Sequence, residues 1–337
     1  MIEAPEHGGT LRYGRTDART HSGEAGPVIL TVTLNTALDL TYRVPALKPH
    51  ASHRVTEVTE RPGGKGVNVA RVLAALGHEV TVTGFAGGGT GHAVRAALAG
   101  RARLVDALLP VAGATRRTLA VVDEHTGDTT QLNEPGPLIS PAEWRAFQEA
   151  YEDLLAGVSA VALCGSLPPG VPVGAYAGLV RSARAAGVPV LLDTSGEPLR
   201  RAVAARPDLI KPNADELAEL TGSYEPLRAT QDARRRGARA VVASLGAEGL
   251  LAVTAEGRWR AAPPARVRGN PTGAGDSAVA GLLSGLAERL PWPDRLARAV
   301  ALSAATVLAP VAGEFDRAAY EEVLTRVTVL PEAGSAA

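Results

Sequence analysis

The chain has 337 residues, 45% of them hydrophobic, enough to bury a sizeable core in one large domain or two ordinary ones. Its 35 basic residues balance 35 acidic ones, which argues against a nucleic-acid partner held by counterion release. A lone cysteine, Cys164, excludes an intrachain disulfide, and no apolar run approaches the roughly 18 residues of a membrane span.

Residues 1–26 read as a flexible polar N-terminal extension without the apolar centre of a secretory signal, so a cytoplasmic location is expected. Pro27 to Leu34 is rich in β-branched residues and reads as a strand. Residues 39–62 alternate weakly, contain Pro45 and Pro49, and are expected as strands and turns off the main sheet. Lys65 to Leu76 has helical apolar spacing and stops at Gly77. A strand over Val80–Phe85 and a short helix over 90–100 follow. Thr118–Val122 and Thr129–Leu132 suggest a two-stranded excursion around the turn at Thr126 and Gly127.

From Ser140 the pattern becomes regular. Ser140-Pro141-Ala142-Glu143 is a capping box with proline at the first helical position. Its helix, to Leu155, precedes a strand over Ala160–Cys164. Helices over 173–186 and 197–204 precede strands at Val188–Leu192 and Leu209–Ile210. Helices at 214–221 and 226–236, strands at 240–244 and 249–254, and helices at 275–290 and 294–309 complete the pattern. Strands alternating with helices imply an α/β fold with a mostly parallel sheet. The segments near 36–62 and 112–134 break that rhythm and are expected to form a small β lid. The expected unit spans 27–330, followed by a tail over 331–337.

Two glycine clusters carry the chemistry. Asn270-Pro271-Thr272-Gly273-Ala274-Gly275-Asp276 runs into an apolar-periodic helix. Bare N–H groups at a helix start attract an anion. A carboxylate there suits a second role, orienting a hydroxyl that attacks a phosphate. Its place in the first turn predicts a lowered pKa for Asp276. Gly63-Gly64-Lys65-Gly66-Val67-Asn68 opens a second helix and adds an ammonium group. Lysines occur only at 48, 65 and 211 in this arginine-rich chain. Two anion-ready loops suggest two anions, a nucleotide and a phosphorylated substrate; close strand-to-helix packing is the competing explanation for the glycines. Asn35 and Asp39 follow the first strand, where they could grip sugar hydroxyls or cap a turn. No G-x-G-x-x-G follows that strand, and no histidine pair has zinc-ligand spacing on a helix.

Eight segments in order, TLNTALDL, GGKGVNVARVL, NEPGP, CGSLPPG, LLDTSGE, IKPNADEL, SLGAEG and NPTGAGDS, resemble the PfkB (ribokinase-like) sugar kinase family. The resemblance runs from about residue 28 to 310 and is closest to the branch of 1-phosphofructokinases and tagatose-6-phosphate kinases. It implies a three-layer αβα fold with a β-sheet lid, and an ATP- and Mg²⁺-dependent kinase acting on a primary hydroxyl of a ketohexose phosphate. Fructose 1-phosphate is the first choice, with tagatose 6-phosphate or fructose 6-phosphate as the alternatives. A non-catalytic phosphosugar-binding protein on the same scaffold is the rival from another class.

Residue by residue, the resemblance implies that Asp276 is the base and that Gly273, Ala274 and Gly275 form the anion hole. Ser244, Leu245, Gly246, Ala247, Glu248, Gly249, Asn213 and Thr272 would meet the nucleotide. Glu216 and Asn213 would organise Mg²⁺, although their spacing also fits a capping box. Asn35, Asp39, Gly64 and Asn68 would hold the sugar. Lys65 and Arg116 would bind its phosphate, with the adjacent Arg117 as the alternative to Arg116 and Arg54 as a weaker candidate. Thr36 and the pair Pro271-Thr272 depart from the family pattern without removing a reactive group. The lid would leave edge strands that a second copy could cover, so a homodimer is expected.

Overall fold

The computed structural model describes residues 28–265, 267, 269–309 and 314–332; the expected extension over 1–26 lies outside them. A ten-stranded sheet forms the centre. Its strands are β1 (Ile29–Thr33), β4 (Val80–Ala86), β5 (Leu104–Pro110), β8 (Ala160–Cys164), β9 (Val190–Asp193), β10 (Leu209–Ile210), β11 (Ala240–Ser244), β12 (Leu250–Val253), β13 (Arg258–Ala262) and β14 (Thr328–Pro331). Their order is β14-β13-β12-β11-β10-β9-β8-β1-β4-β5, antiparallel from β14 to β11 and parallel beyond.

Alternation in the buried strands divides the core into two layers, as expected of a sheet covered on both faces. Ala160, Ala162 and Cys164 of β8 pack toward one cluster, Val161 and Leu163 toward the other. The first cluster is covered by α1 (Lys65–Leu76), α2 (Gly88–Ala99), α8 (Ala274–Ala287), α9 (Trp292–Leu308) and α10 (Arg317–Leu324). The second is covered by α3 (Pro141–Leu154), α4 (Ala175–Ala185), α5 (Gly196–Val203), α6 (Ala214–Thr221) and α7 (Pro226–Arg235). The result is the three-layer αβα arrangement.

A second sheet has the order β3-β2-β6-β7, from β2 (Ala37–Val44), β3 (Glu57–Gly63), β6 (Arg116–Asp123) and β7 (Thr129–Asn133). Its two outer pairs are antiparallel and its central pair, β2 with β6, is parallel. Asp39, Thr41, Thr118 and Gln131 line one face of it toward a cleft. By strand alternation, Tyr42, Val58, Leu119, Val121 and Leu132 lie on the other face.

The structure adds four elements absent from the sequence-based pattern: β5, β13, α10 and β14. β5 and β14 are the two edges of the large sheet, and their mixed exposure lacks the continuous apolar run that marks the central strands. Pro331, expected to start a tail, instead closes β14.

Candidate active site

Sheet topology gives the site its position. From β1 the chain adds β4 and β5 on one side and β8 through β14 on the other, so the strand order reverses between β1 and β8. Loops diverge at such a point and leave a crevice beyond the strand carboxyl ends. Asn35, after β1, and Ser166, after β8, meet across it: Asn35 Nδ2 donates to Ser166 Oγ at 3.0 Å.

Strand parity then selects what reaches the site. Leu191 and Leu209 face the core layer under α1 and α8, and Leu192 and Ile210 face away. The next residues, Asp193 and Lys211, therefore point back toward α1 and α8. Register sets them side by side, because Ile210 pairs with Leu192. Lys211 Nζ lies 3.4 Å from Asp193 Oδ1, and Lys65 Nζ lies 3.2 Å from Asp193 Oδ2. Asp193 is buried, and burial alone would raise its pKa; the two ammonium groups outweigh this and lower it. Lys65 is affected in the same way: burial opposes its charge, but Asp193, Asp276 and Glu216 hold its pKa above the ordinary value.

The first turn of α8 completes the cluster. Gly273 caps the helix at φ 84°, in the left-handed region that favours glycine. The Ala274 N–H is taken by the Pro271 carbonyl at 3.1 Å, so Ala274, expected in the anion hole, has no free N–H to offer. The N–H groups of Gly275 and Asp276 have no partner among the described residues. Asn68 Nδ2 donates to Asp276 Oδ2 at 2.9 Å. Asp276 is half-buried, and its pKa is raised to about 6, first by burial and then by Asp193, against the lowering effects of Asn68, Lys65 and Lys211. This is opposite to the expected lowering: burial and the neighbouring carboxylate outweigh Asn68, Lys65 and Lys211, which favour the ionised form.

Two clefts meet at the first turn of α1. The larger, about 740 Å³, is lined by Asn35, Lys65, Arg116, Ser166 and Thr194 among others. The smaller, about 180 Å³, lies under the second sheet and is lined by Asp39, Asn68, Arg71, Thr118, Thr272 and Gly273 among others. Lys65 lines one and Asn68 the other. Gly64 caps α1 at φ 100° between them, and a Cβ on neighbouring Gly63 would overlap the Asp39 carboxyl group. Burial raises the Asp39 pKa, and Arg116 opposes the shift.

Arg116 donates from Nε to the Asn35 carbonyl at 3.1 Å and from Nη1 to Thr118 Oγ1 at 3.3 Å. Its Nη2 has no partner among the described residues and is available to a ligand. Arg117 is exposed and locked onto Glu134 at 2.7 and 3.0 Å, and Arg54 is exposed and lines neither cleft. Asn35 lines the larger cleft, but its amide donates to the Pro135 carbonyl and Ser166, so it ties loops together and carries Arg116.

On the other side, Ser244 ends β11, and Leu245–Gly249 make the tight turn into β12, closed by Leu245 N–H on the Gly249 carbonyl at 2.9 Å. Asn213 bridges to Ser244. Asn213 and Glu216 form a reciprocal capping box at 2.8 and 2.9 Å, the geometry of the competing explanation. One Glu216 carboxylate oxygen stays outside that box. Thr272, expected beside the nucleotide, lines the smaller cleft with Asp39 and Asn68.

Sequence reasoning gave no role to Asp193, Lys211, Ser166, Thr194 or Arg71. A signal existed for two of them. Asp193 and Lys211 are charged residues that directly end apolar strands, and Lys211 is one of three lysines.

The pfkB family carbohydrate kinase model matches residues 31–317. The chain belongs to the PfkB family of carbohydrate kinases. It is therefore a phosphotransferase that moves a phosphoryl group from ATP to an alcohol. A 1-phosphofructokinase of Rhodobacter capsulatus is 42% identical over 294 residues, 84% of this chain and 92% of the relative. The phosphofructokinase-2 of Escherichia coli in complex with fructose-6-phosphate superposes with TM-score 0.80 at 30% identity, covering 89% of this chain and 98% of that one. A possible 1-phosphofructokinase of Thermotoga maritima gives TM-score 0.79 at 25% identity, covering 91% and 100%. No helix among the described residues is long and apolar enough to cross a membrane.

Proposed function

We propose that this PfkB kinase transfers the γ-phosphate of ATP to a primary hydroxyl of a ketohexose phosphate, converting fructose 1-phosphate to fructose 1,6-bisphosphate. The observation that carries the reading is that Asn68, which lines one cleft, donates to Asp276 at 2.9 Å, while Lys65, at the start of the same helix, lines the other cleft and pairs with the buried Asp193. The identity to the Rhodobacter capsulatus enzyme supports fructose 1-phosphate as the acceptor. The fructose-6-phosphate complex of the Escherichia coli relative supports fructose 6-phosphate as the second choice, and tagatose 6-phosphate remains the third.

In this reading, the acceptor sugar lies between Asp39, Asn68 and Gly64, with its phosphate toward Lys65 and Arg116. A lysine ammonium has three donors, so Lys65 can keep Asp193 and still bind a phosphate oxygen. Arg116, not Arg117, is the guanidinium for that phosphate, since its Nη2 is free and it lines the cleft. The N–H groups of Gly275 and Asp276, at the positive end of α8, stabilise the transferring phosphoryl group. Asp276 orients the hydroxyl and takes its proton late in a loose transition state. A carboxyl titrating near 6 suits that work better than one titrating near 4.

ATP would run from Gly275 toward the turn Ser244–Gly249 and Asn213. No group of three or more metal-ligating side chains exists among the described residues, so an all-protein cage is not the fit. Magnesium is commonly held by one or two carboxylates plus substrate phosphates. The oxygen of Glu216 left over from its cap meets that requirement, and the ion would neutralise charge on the phosphates. The second sheet acts as the lid over the sugar, closing to exclude water. Its outer face leaves Val58 and Leu132 55% and 59% exposed, which supports a homodimer through the lids.

The test is a coupled ADP-release assay with these three ketohexose phosphates and unphosphorylated fructose. Highest kcat/KM with fructose 1-phosphate supports the reading. Binding without turnover on any of them would contradict the ketohexose phosphate reading.

A further inference from the structure

Asp193 is the buried charge that no step of the proposed reaction uses. It ends β9, is 2% exposed, and sits among groups from four neighbouring elements. Lys65 comes from α1, Lys211 follows β10, Asp276 comes from α8, and Cys164 ends β8 opposite it in register. The carboxylate is bipartite: Oδ2 takes Lys65 at 3.2 Å and Oδ1 faces Lys211 at 3.4 Å, beyond ordinary hydrogen-bond length. Oδ1 has no hydrogen-bond partner despite its burial. A desolvated carboxylate is costly unless paired, so this placement demands both lysines together.

We propose that Asp193 is a positioning residue for phosphoryl transfer: the shared counter-ion that fixes the Lys65 and Lys211 ammonium groups and sets negative charge beside the base Asp276. The proposal rests on the kinase reading above. Two consequences follow from geometry. Lys65 is a flexible side chain whose Nζ is held by Asp193, and it lines the larger cleft, where a phosphate would meet it already oriented. Lys211 Nζ, which faces Asp193, lies 4.0 Å from where a Cβ on Gly275 would stand, so the Asp193 cluster reaches the first turn of α8; there Asp193 opposes ionisation of Asp276, while Lys65, Lys211 and the amide of Asn68 favour it. Cys164 is fully buried and its thiol is pushed well up, so it stays neutral and adds no charge. Glu216 bears on Lys65.

The experiment compares wild type with Asp193→Asn in the full chain, using MgATP and fructose 1-phosphate, with kcat/KM measured from about pH 5 to about pH 9. Removing a neighbouring negative charge lowers the pKa of Asp276, and the lysines, freed of their counter-ion, lower it further. The acid limb should therefore move down by about one pH unit or more. The phosphosugar's own titration is common to both proteins and cancels in the difference. KM for the phosphosugar should rise about tenfold with the loosening of Lys65, and that for ATP should change less. A uniform loss of activity with an unmoved acid limb would reduce Asp193 to a structural role and overturn the proposal. If Asp193→Asn does not fold, Lys211→Met gives the opposite sign: the acid limb moves up, and an unmoved limb overturns the proposal. If wild type turns over no ketohexose phosphate, the proposed acceptor falls instead. Carbon-detected NMR titration of the Asp276 carboxyl in the two proteins then reads the same shift without turnover; equal titrations would overturn the proposal.

Discussion

Replacing Asp276 with asparagine should separate catalysis from stability. The carboxyl titrates at about 6 in the fold against an ordinary value of 3.8. That difference corresponds to about 3 kcal/mol by which the fold disfavours the ionised form, reduced to about 2–3 kcal/mol because the group is half-buried. The sign is set by the raised pKa. Below about pH 4 the group is protonated folded and unfolded, so no penalty exists; it develops as pH rises and is complete above about pH 6. Asparagine never ionises, and its carbonyl can still accept from Asn68. Asp276→Asn should therefore be more stable than wild type by about 2–3 kcal/mol at pH 8, with the gain shrinking toward zero near pH 4. Urea denaturation at these two pH values measures it. The same substitution should lower kcat by about 10²- to 10⁴-fold while leaving ATP and sugar-phosphate binding in place. An equal stability difference at both pH values would refute the assigned cause of the shift. Wild-type turnover in the variant would refute the assigned base.

Three further outcomes follow. Lys65→Ala should raise KM for the phosphosugar by tenfold or more, about 1.4 kcal/mol, and leave KM for ATP nearly unchanged; a change confined to ATP would reverse the assignment of the two anions. Arg116→Ala should weaken phosphosugar binding in steady-state kinetics, whereas Arg117→Ala, whose partner is the exposed Glu134, should change it less than about twofold; the reverse order would move the phosphate site. Leu132→Asp on the outer face of the lid should shift the protein to monomer in light scattering; an unchanged mass would place any dimer contact elsewhere.

Much of the architecture was legible because the central strands are buried on both faces and read as apolar runs between amphipathic helices. The capping box at Ser140 fixed the start of α3. The edges β5 and β14 were not legible, since half-exposed strands carry neither a clean alternation nor an apolar run. Both glycine clusters were legible as helix starts, and Gly64 and Gly273 cap α1 and α8. What the sequence could not supply was electrostatics that depend on register. The low pKa expected for Asp276 came from its helix alone, and the opposing charge lies 83 residues away on β9. The Ala274 N–H donates to the Pro271 carbonyl in a local turn, which sequence spacing does not reveal.

The most direct measurement of the central claim is phosphorus NMR of a reaction containing stoichiometric ATP and fructose 1-phosphate. A second sugar phosphomonoester should grow in step with ADP while the original ester persists, and Asp276→Asn should suppress both new signals. Release of inorganic phosphate with no new ester, or ester formation unaffected by that substitution, would contradict the account.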